Sequence, residues 1–428
     1  MHEMDVRIAA FDSDRIDNAY VFDGPDDGEF DMRDSVVEIG YVEADSFYPF
    51  HLADGVTYIE NVDFSYGAVT ASVDGYGEGV WTMRNVDMNF TRVEDTWCGD
   101  FYLLDVYYAR AQFDQLSLYA GDLESDSCDG YLIYTYDTQL TLTNSRLEFD
   151  EADMVNNIYG IYGGDGGTYV YDNNDIVLGF NNDRDNYGIY QAYGSSEITN
   201  NYVYAGETWT DADEGDDIWG IYVEYGLARL ANNVVEMGAS GDEATGLHLY
   251  GDGLVAYASN NYFAATTLSV ADNVYGVYIE LDGYYVLQNN VINAGAADDS
   301  FVNYGVYIDD LAARTVLQGN IFTSEANQID VLVYDHSAGD LTTMTEVNDC
   351  SAWAACVASR DNKKVSDPDN IFVNRANGNF KQKATSPAID AGVDVNQYDP
   401  YGLAAVDMNG TPRPSAGGWD IGPDELPQ

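Results

Sequence analysis

Short runs of alternating apolar and polar residues dominate the chain, and the same unit returns at intervals of about thirty residues. Residues 277–282 read Val-Tyr-Ile-Glu-Leu-Asp, which has the two-residue period of a half-buried β-strand. Gly283 ends this run, and a second apolar run leads to the pair Asn289-Asn290. No segment sustains the 3.6-residue period of an amphipathic helix. The pattern predicts short β-strands separated by tight bends.

The asparagine pair marks one bend in each repeat. Its second member falls at 174, 201, 233, 261, 290 and 320, with intervals of 27, 32, 28, 29 and 30 residues. Asn tolerates the left-handed backbone conformation that a tight bend requires, and stacked side-chain amides can bond one another as a ladder. Asn61, Asn85 and Asp114 extend the series upstream. We expect the ladder to contain Asn144, Asn174, Asn201, Asn233, Asn261, Asn290 and Asn320.

A fixed period of this length indicates a stack of one repeated unit. The sequence therefore predicts an all-β parallel β-helix of about 11–12 coils. Residues 1–60 carry a weaker form of the pattern and are expected to form irregular N-terminal coils. Residues 61–320 are the regular coils, and residues 321–428, where the repeat fades, are the C-terminal coil and an irregular cap.

The C-terminal segment carries a second pattern. It contains Ser386-Pro387-Ala388-Ile389-Asp390-Ala391-Gly392, then Asp407-Met408-Asn409-Gly410 with Arg413, and finally Asp420-Ile421-Gly422. These residues resemble the tail of the secreted and cell-surface right-handed parallel β-helix repeat proteins, although Pro423 and Asp424 depart from the usual ending. The resemblance implies a right-handed coil, also the preferred hand of parallel crossovers, and export from the cell. It implies no single activity.

The charge limits the possible partners. The chain has 74 acidic and 17 basic residues, a net charge of −57, and all four lysines lie at positions 363, 364, 381 and 383. Such a field repels nucleic acid and anionic polysaccharides. It suits a protein kept soluble in high salt, or one that holds divalent cations, and a solvated acidic coat is the plainer alternative.

Two further features concern the location of the protein. No stretch of eighteen apolar residues occurs, so no membrane insertion is expected. The first residues show neither a basic nor an apolar region, so no signal peptide is visible; one was removed or the chain was trimmed.

The four cysteines fall into two possible pairs. Cys98 and Cys128 each lie sixteen residues before the bend of their own coil, which places them about 5 Å apart on adjacent coils, within the range for a disulfide. Cys350 and Cys356 flank a short loop and can close on each other. Two pairs without a free thiol favour an oxidising, extracellular or cell-surface setting, whereas four buried reduced cysteines are the alternative.

An aromatic column beside an acidic one is the strongest candidate for a binding surface. If the aliphatic residue after each repeated Gly points inward, the next residue points outward. Those residues are Tyr162, Tyr190, Tyr222, His248, Tyr278 and Tyr307, with Glu280 and Asp309 two positions further on. This surface could stack against sugar rings or a neighbouring chain, or its tyrosines could only stabilise the sheet.

An acidic loop suggests calcium. Asp211, Asp213, Asp216 and Asp217 surround Gly215 with the alternate oxygen ligands that Ca²⁺ prefers, although the pattern is not that of an EF-hand. The alternative is a solvated acidic loop. No organic cofactor is expected.

Catalytic patterns are sparse. The Asn-Thr-Asp, Gly-His-Gly and Arg-Ile-Lys motifs of polygalacturonase-like enzymes are absent, and the coils offer no lysine as the base of a lyase. Carboxylates in one register, such as Glu280 and Asp309, arise by chance in so acidic a chain. The sequence therefore favours an extracellular structural or adhesive protein that binds a glycan, a surface or copies of itself. A polysaccharide lyase or glycoside hydrolase on the same scaffold is the alternative.

Overall fold

A computed structural model describes the whole chain except residues 1–4, 9–10, 13–17, 25–27, 53–54, 96–99, 126–127, 154, 183, 209–215, 266–268, 271–272, 298–300, 326–328, 399–400, 416 and 427–428. The fold is an all-β, right-handed parallel β-solenoid, with 62% of residues in strands and 4% in helices. It has about nine turns, fewer than the 11–12 coils expected. The chain divides into two compact units, Met1–Ser195 with Ala205–Trp209, and Ser196–Tyr204 with Thr210–Gln428.

The first unit is built from parallel strands whose register repeats from coil to coil. Its strands are Asp5–Ile8, Phe11–Asp12, Asn18–Gly24, Gly28–Leu52, Gly55–Gly77, Val80–Asp95, Phe101–Tyr107, Arg110–Ser125, Gly130–Tyr136, Gln139–Thr143, Arg146–Asp153, Ile158–Gly164, Thr168–Asp172, Asp175–Val177, Phe180–Asn181, Asn186–Ala192 and Glu207–Thr208. Four of them are long, with 25, 23, 16 and 16 residues, because backbone pairing continues through the bends. After Ser125 no strand in the described ranges is longer than 8 residues.

The second unit has three short strands in each coil, which stack into three parallel sheets. The first sheet contains Ile218–Glu224, Ala244–Tyr250, Val274–Ile279, Asn303–Ile308 and Val331–Asp335. The second sheet contains Ser195–Thr199, Leu227–Ala231, Leu254–Ser259, Gly283–Gln288, Arg314–Gln318 and Cys356–Arg360. The third sheet contains Tyr202–Tyr204, Val234–Glu236, Tyr262–Ala264, Val291–Asn293, Ile321–Thr323 and Lys363–Lys364.

The rest of the second unit is small elements at the margins of these sheets. Ser269–Val270 pairs with Ala296–Ala297, Gly339–Leu341 pairs antiparallel with Val331–Asp335, and Phe372–Asn374 pairs antiparallel with Asn379–Gln382. Met344–Val347 is a short α-helix, and the 3-10 helices are Pro368–Asn370, Arg375–Asn377, Val395–Gln397 and Leu403–Ala405. None of the helices in the described ranges is long and apolar enough to cross a bilayer.

Several residues of the C-terminal segment pack against the third sheet. Ile371, Phe372, Phe380 and Ile421 form a buried apolar cluster with residues of four successive third-sheet strands. Those strand residues are Val234, Tyr262, Val291 and Ile321, and none is exposed to solvent. Burying apolar side chains stabilises by about 1.5–3 kcal/mol each, so this face holds the C-terminal segment firmly.

The two asparagines of each pair do different jobs at the bend. The first is in the left-handed conformation, with φ of 57° at Asn232, 58° at Asn260 and 54° at Asn289. The second turns inward and is fully buried, and its Oδ1 accepts from both the backbone N–H and the Nδ2 of the inner asparagine in the preceding coil, as Asn261 does from Asn233. The inner ladder in the second unit contains Asn201, Asn233, Asn261, Asn290 and Asn320 and continues to Asn362 and Asn348.

The ladder expected from the sequence is displaced by one residue at its upstream end. Asn144 has a φ of 52° and receives a 2.7 Å hydrogen bond from Asn173, which places it in the outer column of first asparagines. The inner position of that coil is Ser145, whose backbone N–H donates to Oδ1 of Asn174. A single asparagine in a coil cannot fill both positions, and the left-handed bend takes it.

The cysteine pairs differ in what is described. Cys350 and Cys356 form a disulfide, with Cα atoms 5.3 Å apart. Cys128 is buried and is not a free thiol, but Cys98 lies outside the described residues. The pairing of Cys98 with Cys128 therefore stays a prediction.

Candidate functional site

The glycine of the repeated Tyr-Gly-x-Tyr motif allows two successive residues of a strand to face the core. A Cβ on Gly160 would lie 2.5 Å from the carbonyl oxygen of Gly188 and 2.7 Å from Cγ2 of Ile176. A Cβ on Gly276 would lie 2.8 Å from the carbonyl oxygen of Gly305. Side chains normally alternate between the two faces of a strand, so two inward residues return the flanking tyrosines to one outer face.

In the first unit these tyrosines form two stacked columns. The column before the glycine contains Tyr131, Tyr159 and Tyr187, with ring centroids 4.7 and 4.6 Å apart and interplanar angles of 5° and 8°. The column after it contains Tyr134, Tyr162 and Tyr190, with both spacings 4.9 Å and both angles 4°. Rings of the two columns meet edge to face, as Tyr159 and Tyr162 do at 5.5 Å.

In the second unit the column after the glycine contains Tyr222, His248, Tyr278 and Tyr307. The successive centroid distances are 4.5, 4.6 and 5.1 Å, and the stack continues to Tyr334 at 4.4 Å. We call this column, together with Glu280 and Asp309, the tyrosine face. Most of its rings are half-buried, while His248 is only 5% exposed.

Each acid of the tyrosine face has a histidine partner. Nε2 of His248 lies 3.0 Å from Oε2 of Glu280, and Nδ1 of His336 lies 3.4 Å from Oδ1 of Asp309. Burial lowers the pKa of His248, and the bond to Glu280 only partly opposes this effect. The acids are therefore held as hydrogen-bonding groups at the edge of the column.

The stacking decides which chemistry the tyrosine face can offer. His248 lies face to face with Tyr278, and Tyr307 with Tyr334, at interplanar angles of 9°. Tyr278 meets Tyr307 edge to face at 85°, and Tyr222 is tilted by 59° against His248. Burial raises the pKa of Tyr278 and Tyr307, so these hydroxyls stay protonated and can both donate and accept. The tyrosine face therefore offers hydroxyls and carboxylates to a ligand.

A pair of buried carboxyls in the first unit was not anticipated from the sequence. Asp105 is 5% exposed, and Asp74 is half-buried on the adjacent strand. Among the described residues, Oδ1 of each is buried without a hydrogen-bond partner. Burial raises the pKa of Asp105 to about 8, with a further contribution from Asp74, and burial raises the pKa of Asp74 to about 6.

Aromatic residues surround this acid pair. Asp105 is in register with Tyr76 on one side and Tyr134 on the other, so a carboxyl stands where later coils carry a tyrosine. His51 stacks on Tyr76 at 5.5 Å and lowers the pKa of Asp74 slightly. The sequence could have revealed Asp105 as an acid at a position where later coils carry a tyrosine. Residues 102–105 read Tyr-Leu-Leu-Asp, however, and lack the glycine that identifies the Tyr-Gly-x-Tyr motif.

The acidic loop is only partly described. Asp211 and Asp213 lie outside the described residues. Oδ1 of Asp217 accepts a 2.8 Å hydrogen bond from the backbone N–H of Glu243, and the carbonyl of buried Asp216 accepts from Ser240. In the described ranges no group of three or more His, Cys, Asp or Glu side chains is placed to hold a metal ion. Calcium binding stays a prediction.

Comparisons of the chain with protein families, with characterised proteins and with solved structures give no match. The functional argument therefore depends on the geometry described above.

Proposed function

We propose that this chain is an extracellular structural or adhesive β-helix protein that binds an uncharged glycan along the tyrosine face. The observation that carries the proposal is the column of rings from Tyr222 to Tyr334, in which Tyr278 and Tyr307 interact electrostatically with Glu280 and Asp309. Sugar hydroxyls donate to carboxylates and exchange hydrogen bonds with phenols, so a repeated strip of both groups suits a repeated carbohydrate.

Charge and redox state support the same choice. A net charge of −57 repels polyanions such as nucleic acids and uronic-acid polymers, but it leaves neutral glycans unaffected. The disulfide between Cys350 and Cys356 is typical of proteins outside the reducing cytosol. Neutral glycans at a cell surface or in a matrix are therefore the favoured partner class.

The test uses tyrosine-to-phenylalanine changes, which keep the stacking and remove only the hydroxyls. We expect Tyr278→Phe with Tyr307→Phe to weaken co-sedimentation of the full chain with insoluble neutral polysaccharides by about tenfold, since each lost hydrogen bond contributes about 0.5–1.5 kcal/mol. The matched control is Tyr257→Phe with Tyr284→Phe, two partly exposed tyrosines on the second sheet of the same unit.

Equal loss of binding in both double variants, or no binding to any neutral polysaccharide, would contradict the proposal. Analytical ultracentrifugation of the same variants tests the alternative partner, a second copy of the chain. Self-association that depends on Tyr278 and Tyr307 in the absence of glycan would identify a second copy of the chain, and not a glycan, as the partner of the tyrosine face.

A second candidate function is hydrolysis of a glycosidic bond, and the Asp74–Asp105 pair favours it. With pKa values raised to about 6 and about 8, Asp74 is ionised and Asp105 is protonated at pH 7. One carboxylic acid and one carboxylate are the pair that glycosidases use as proton donor and as base or nucleophile. Release of reducing sugar that disappears in Asp105→Asn but persists in Asp122→Asn would establish this activity.

A further inference from the structure

A cavity of about 360 Å³ lies on the third sheet of the second unit, away from the tyrosine face. Tyr202 and Tyr204 form one wall, Glu236 and Met237 of the next coil form another, and Arg375 of the C-terminal segment closes it. Its volume is at the low end of the range for small-molecule sites. A concavity of this size, built from two coils and the C-terminal segment, has room for one small ligand.

The polar groups of the cavity are buried and only partly satisfied. Arg375 is 9% exposed and lies between two carboxylates, with Nη2 2.8 Å from Glu325 and Nη1 3.5 Å from Glu236. Within the described chain its Nε has no hydrogen-bond partner, and its nearest anion, Asp369, is 3.7 Å away. The Nε itself has almost no solvent-accessible surface, so a ligand in the cavity would meet the rest of the Arg375 guanidinium.

Glu236 has a second unusual property. Burial raises the pKa of Glu236 to about 7, although Arg375 and the hydroxyl of Tyr202, 3.4 Å away, both favour the carboxylate. The other charged or titratable groups around it are Glu325, Asp369 and Tyr262. The carboxyl therefore changes between donor and acceptor near neutral pH.

The charge balance of the cavity indicates the class of ligand. The positive charge of Arg375 is already opposed by Glu325, so a second anion finds no uncompensated cation. With Arg375 opposed by Glu325 and Glu236 only partly ionised near pH 7, because burial raises its pKa to about 7, the cavity has little net charge to attract a cation either. A neutral molecule that carries both donors and acceptors and an apolar face to lay on a tyrosine matches all of the walls.

We propose that this cavity binds a single neutral sugar unit, either a free monosaccharide or the end of a glycan chain. Glu236 accepts from two of its hydroxyls, the guanidinium of Arg375 donates to a third oxygen, and Tyr202 and Tyr204 contact the ring. The site does not depend on the tyrosine face, so a glycan could be held at both places or at either one.

The competing interpretation is that the ion pairs of Arg375 with Glu236 and Glu325 only fix the C-terminal segment in place, as a latch. A latch needs the ion pairs but has no use for an open cavity beside them. The decisive variant therefore fills the cavity and leaves the ion pairs intact. Ala376 is exposed and lines the cavity, whereas its neighbour Asn377 is exposed but does not line it.

The experiment measures binding of glucose, galactose, mannose, xylose and N-acetylglucosamine to the full chain by saturation-transfer NMR and calorimetry, with galacturonate as the charged comparator. We expect at least one neutral sugar to bind, galacturonate to bind more weakly, and Ala376→Trp to reduce affinity at least tenfold. Asn377→Trp should leave affinity unchanged.

A second arm follows Glu236. If the carboxylate form binds, affinity should rise about tenfold from pH 6 to pH 8, because the competent fraction rises by that factor. Glu236→Gln should remove this dependence while the chain keeps its melting temperature at pH 6. Failure of every neutral sugar to bind, or equal affinity in Ala376→Trp and the unchanged chain, would overturn the proposal. The ion pairs of Arg375 would then serve only to fix the C-terminal segment.

Discussion

The two units solve the same bend in different ways. In the early coils of the first unit the inner bend position is filled by Val62, Val86 and Leu116, each at most 1% exposed, and the backbone pairs continuously on both sides of it. The later coils of that unit carry Ser145 and Asn174 there. In the second unit the same position holds Asn233, Asn261 and its neighbours in the inner ladder, and the strands stop on either side. The outer residue is left-handed in both units and is most often an asparagine, as at Asn85 and Asn260, although Gln115 takes this position beside Leu116.

The difference shows what an inward asparagine does for a coil. An aliphatic side chain contributes only apolar contact, so the backbone amide at the bend must find its acceptor in the strand ladder. An asparagine supplies that acceptor from its own amide, and so the backbone is free to turn sharply between short strands. Short strands give the second unit its three distinct sheets.

The units also differ in the ionisable group that interrupts their aromatic columns. Asp105 interrupts the column in the first unit and has an unpartnered buried oxygen among the described residues. His248 interrupts it in the second and bonds Glu280 at 3.0 Å. Burial of Asp105 is not offset at Oδ1, whereas burial of His248 is offset at Nε2 but not at Nδ1, which also lacks a partner among the described residues.

The largest effect is expected from removing the buried charge of Asp105. Its pKa is raised from an ordinary value near 4 to about 8, so the folded chain binds one more proton than the unfolded chain between these values. The free energy of unfolding should therefore fall by about 1.4 kcal/mol for each pH unit from about 4 to 8, and not below that range. Asp105→Asn should be less sensitive to pH and more stable than the unchanged chain at pH 8.

Denaturant unfolding at pH 5 and pH 8 checks this prediction, with the exposed Asp122→Asn as the control. A stability loss between the two pH values that is the same in Asp105→Asn and in the unchanged chain would show that this carboxyl is not the strained group.

A smaller loss of unfolding free energy is expected when an inner asparagine of the second unit is replaced by valine, the residue that fills this position in the early coils of the first unit. In Asn261→Val, the backbone N–H and the Nδ2 of Asn233 each lose a 2.9 Å hydrogen bond in the core. Two unsatisfied buried donors should cost about 2–4 kcal/mol of unfolding free energy.

The adjacent Asn260 provides the control for that experiment. It is fully buried with a φ of 58°, and neither atom of its side-chain amide has a partner in the described chain. Glycine adopts this conformation freely, so Asn260→Gly should change stability by less than about 1 kcal/mol. Equal costs for the two variants, measured by denaturant unfolding, would mean that the ladder bonds do not matter.

The disulfides extend the comparison to cross-links. A bridge between Cys98 and Cys128 would close about 30 residues, whereas Cys350 and Cys356 are 6 residues apart. In the loop-entropy treatment these stabilise by about 3.6 and about 2.2 kcal/mol respectively. Cys128→Ser should therefore lower the melting temperature more than Cys356→Ser. Recovery of Cys98 and Cys128 as free thiols in non-reducing peptide mapping would remove the basis of this prediction.

The smallest effect is expected from salt, and it concerns both units. Mutual repulsion in a chain of net charge −57 is screened at high ionic strength, so the melting temperature should rise by several degrees between dilute buffer and molar salt. The same rise at millimolar calcium, but not at matched ionic strength of sodium, would indicate bound calcium at the acidic loop. An unchanged melting temperature in molar salt would show that the acids do not strain the fold.

The sequence predicted the solenoid because its period is long and its bends carry a rare residue pair. It did not show which asparagine of a pair turns inward, since both are equally polar and only the geometry of the bend separates them. Asn144 illustrates the limit: without a second asparagine beside it, the choice between inner and outer positions could not be made from residue type.

The candidate sites were less predictable for a different reason. The column from Tyr222 to Tyr307 follows from strand alternation and could be placed in advance. Arg375 reaches Glu236 across a large separation along the chain, and Asp105 stands in a coil that lacks the marker glycine. Contacts of this kind depend on where the C-terminal segment packs and on how far each strand is buried, and neither is periodic.

The C-terminal segment also fixes the number of coils between its two points of attachment. Asn289 exchanges two 2.8 Å hydrogen bonds with Val393, and Asn232, two coils earlier, donates a 2.8 Å bond to the carbonyl of Val406. Insertion or loss of one coil between these anchors would shift one of them by about 4.8 Å against a segment of fixed length. Repeat proteins commonly change by gaining or losing whole repeats, but between Asn232 and Asn289 such a change must be matched by a new C-terminal segment.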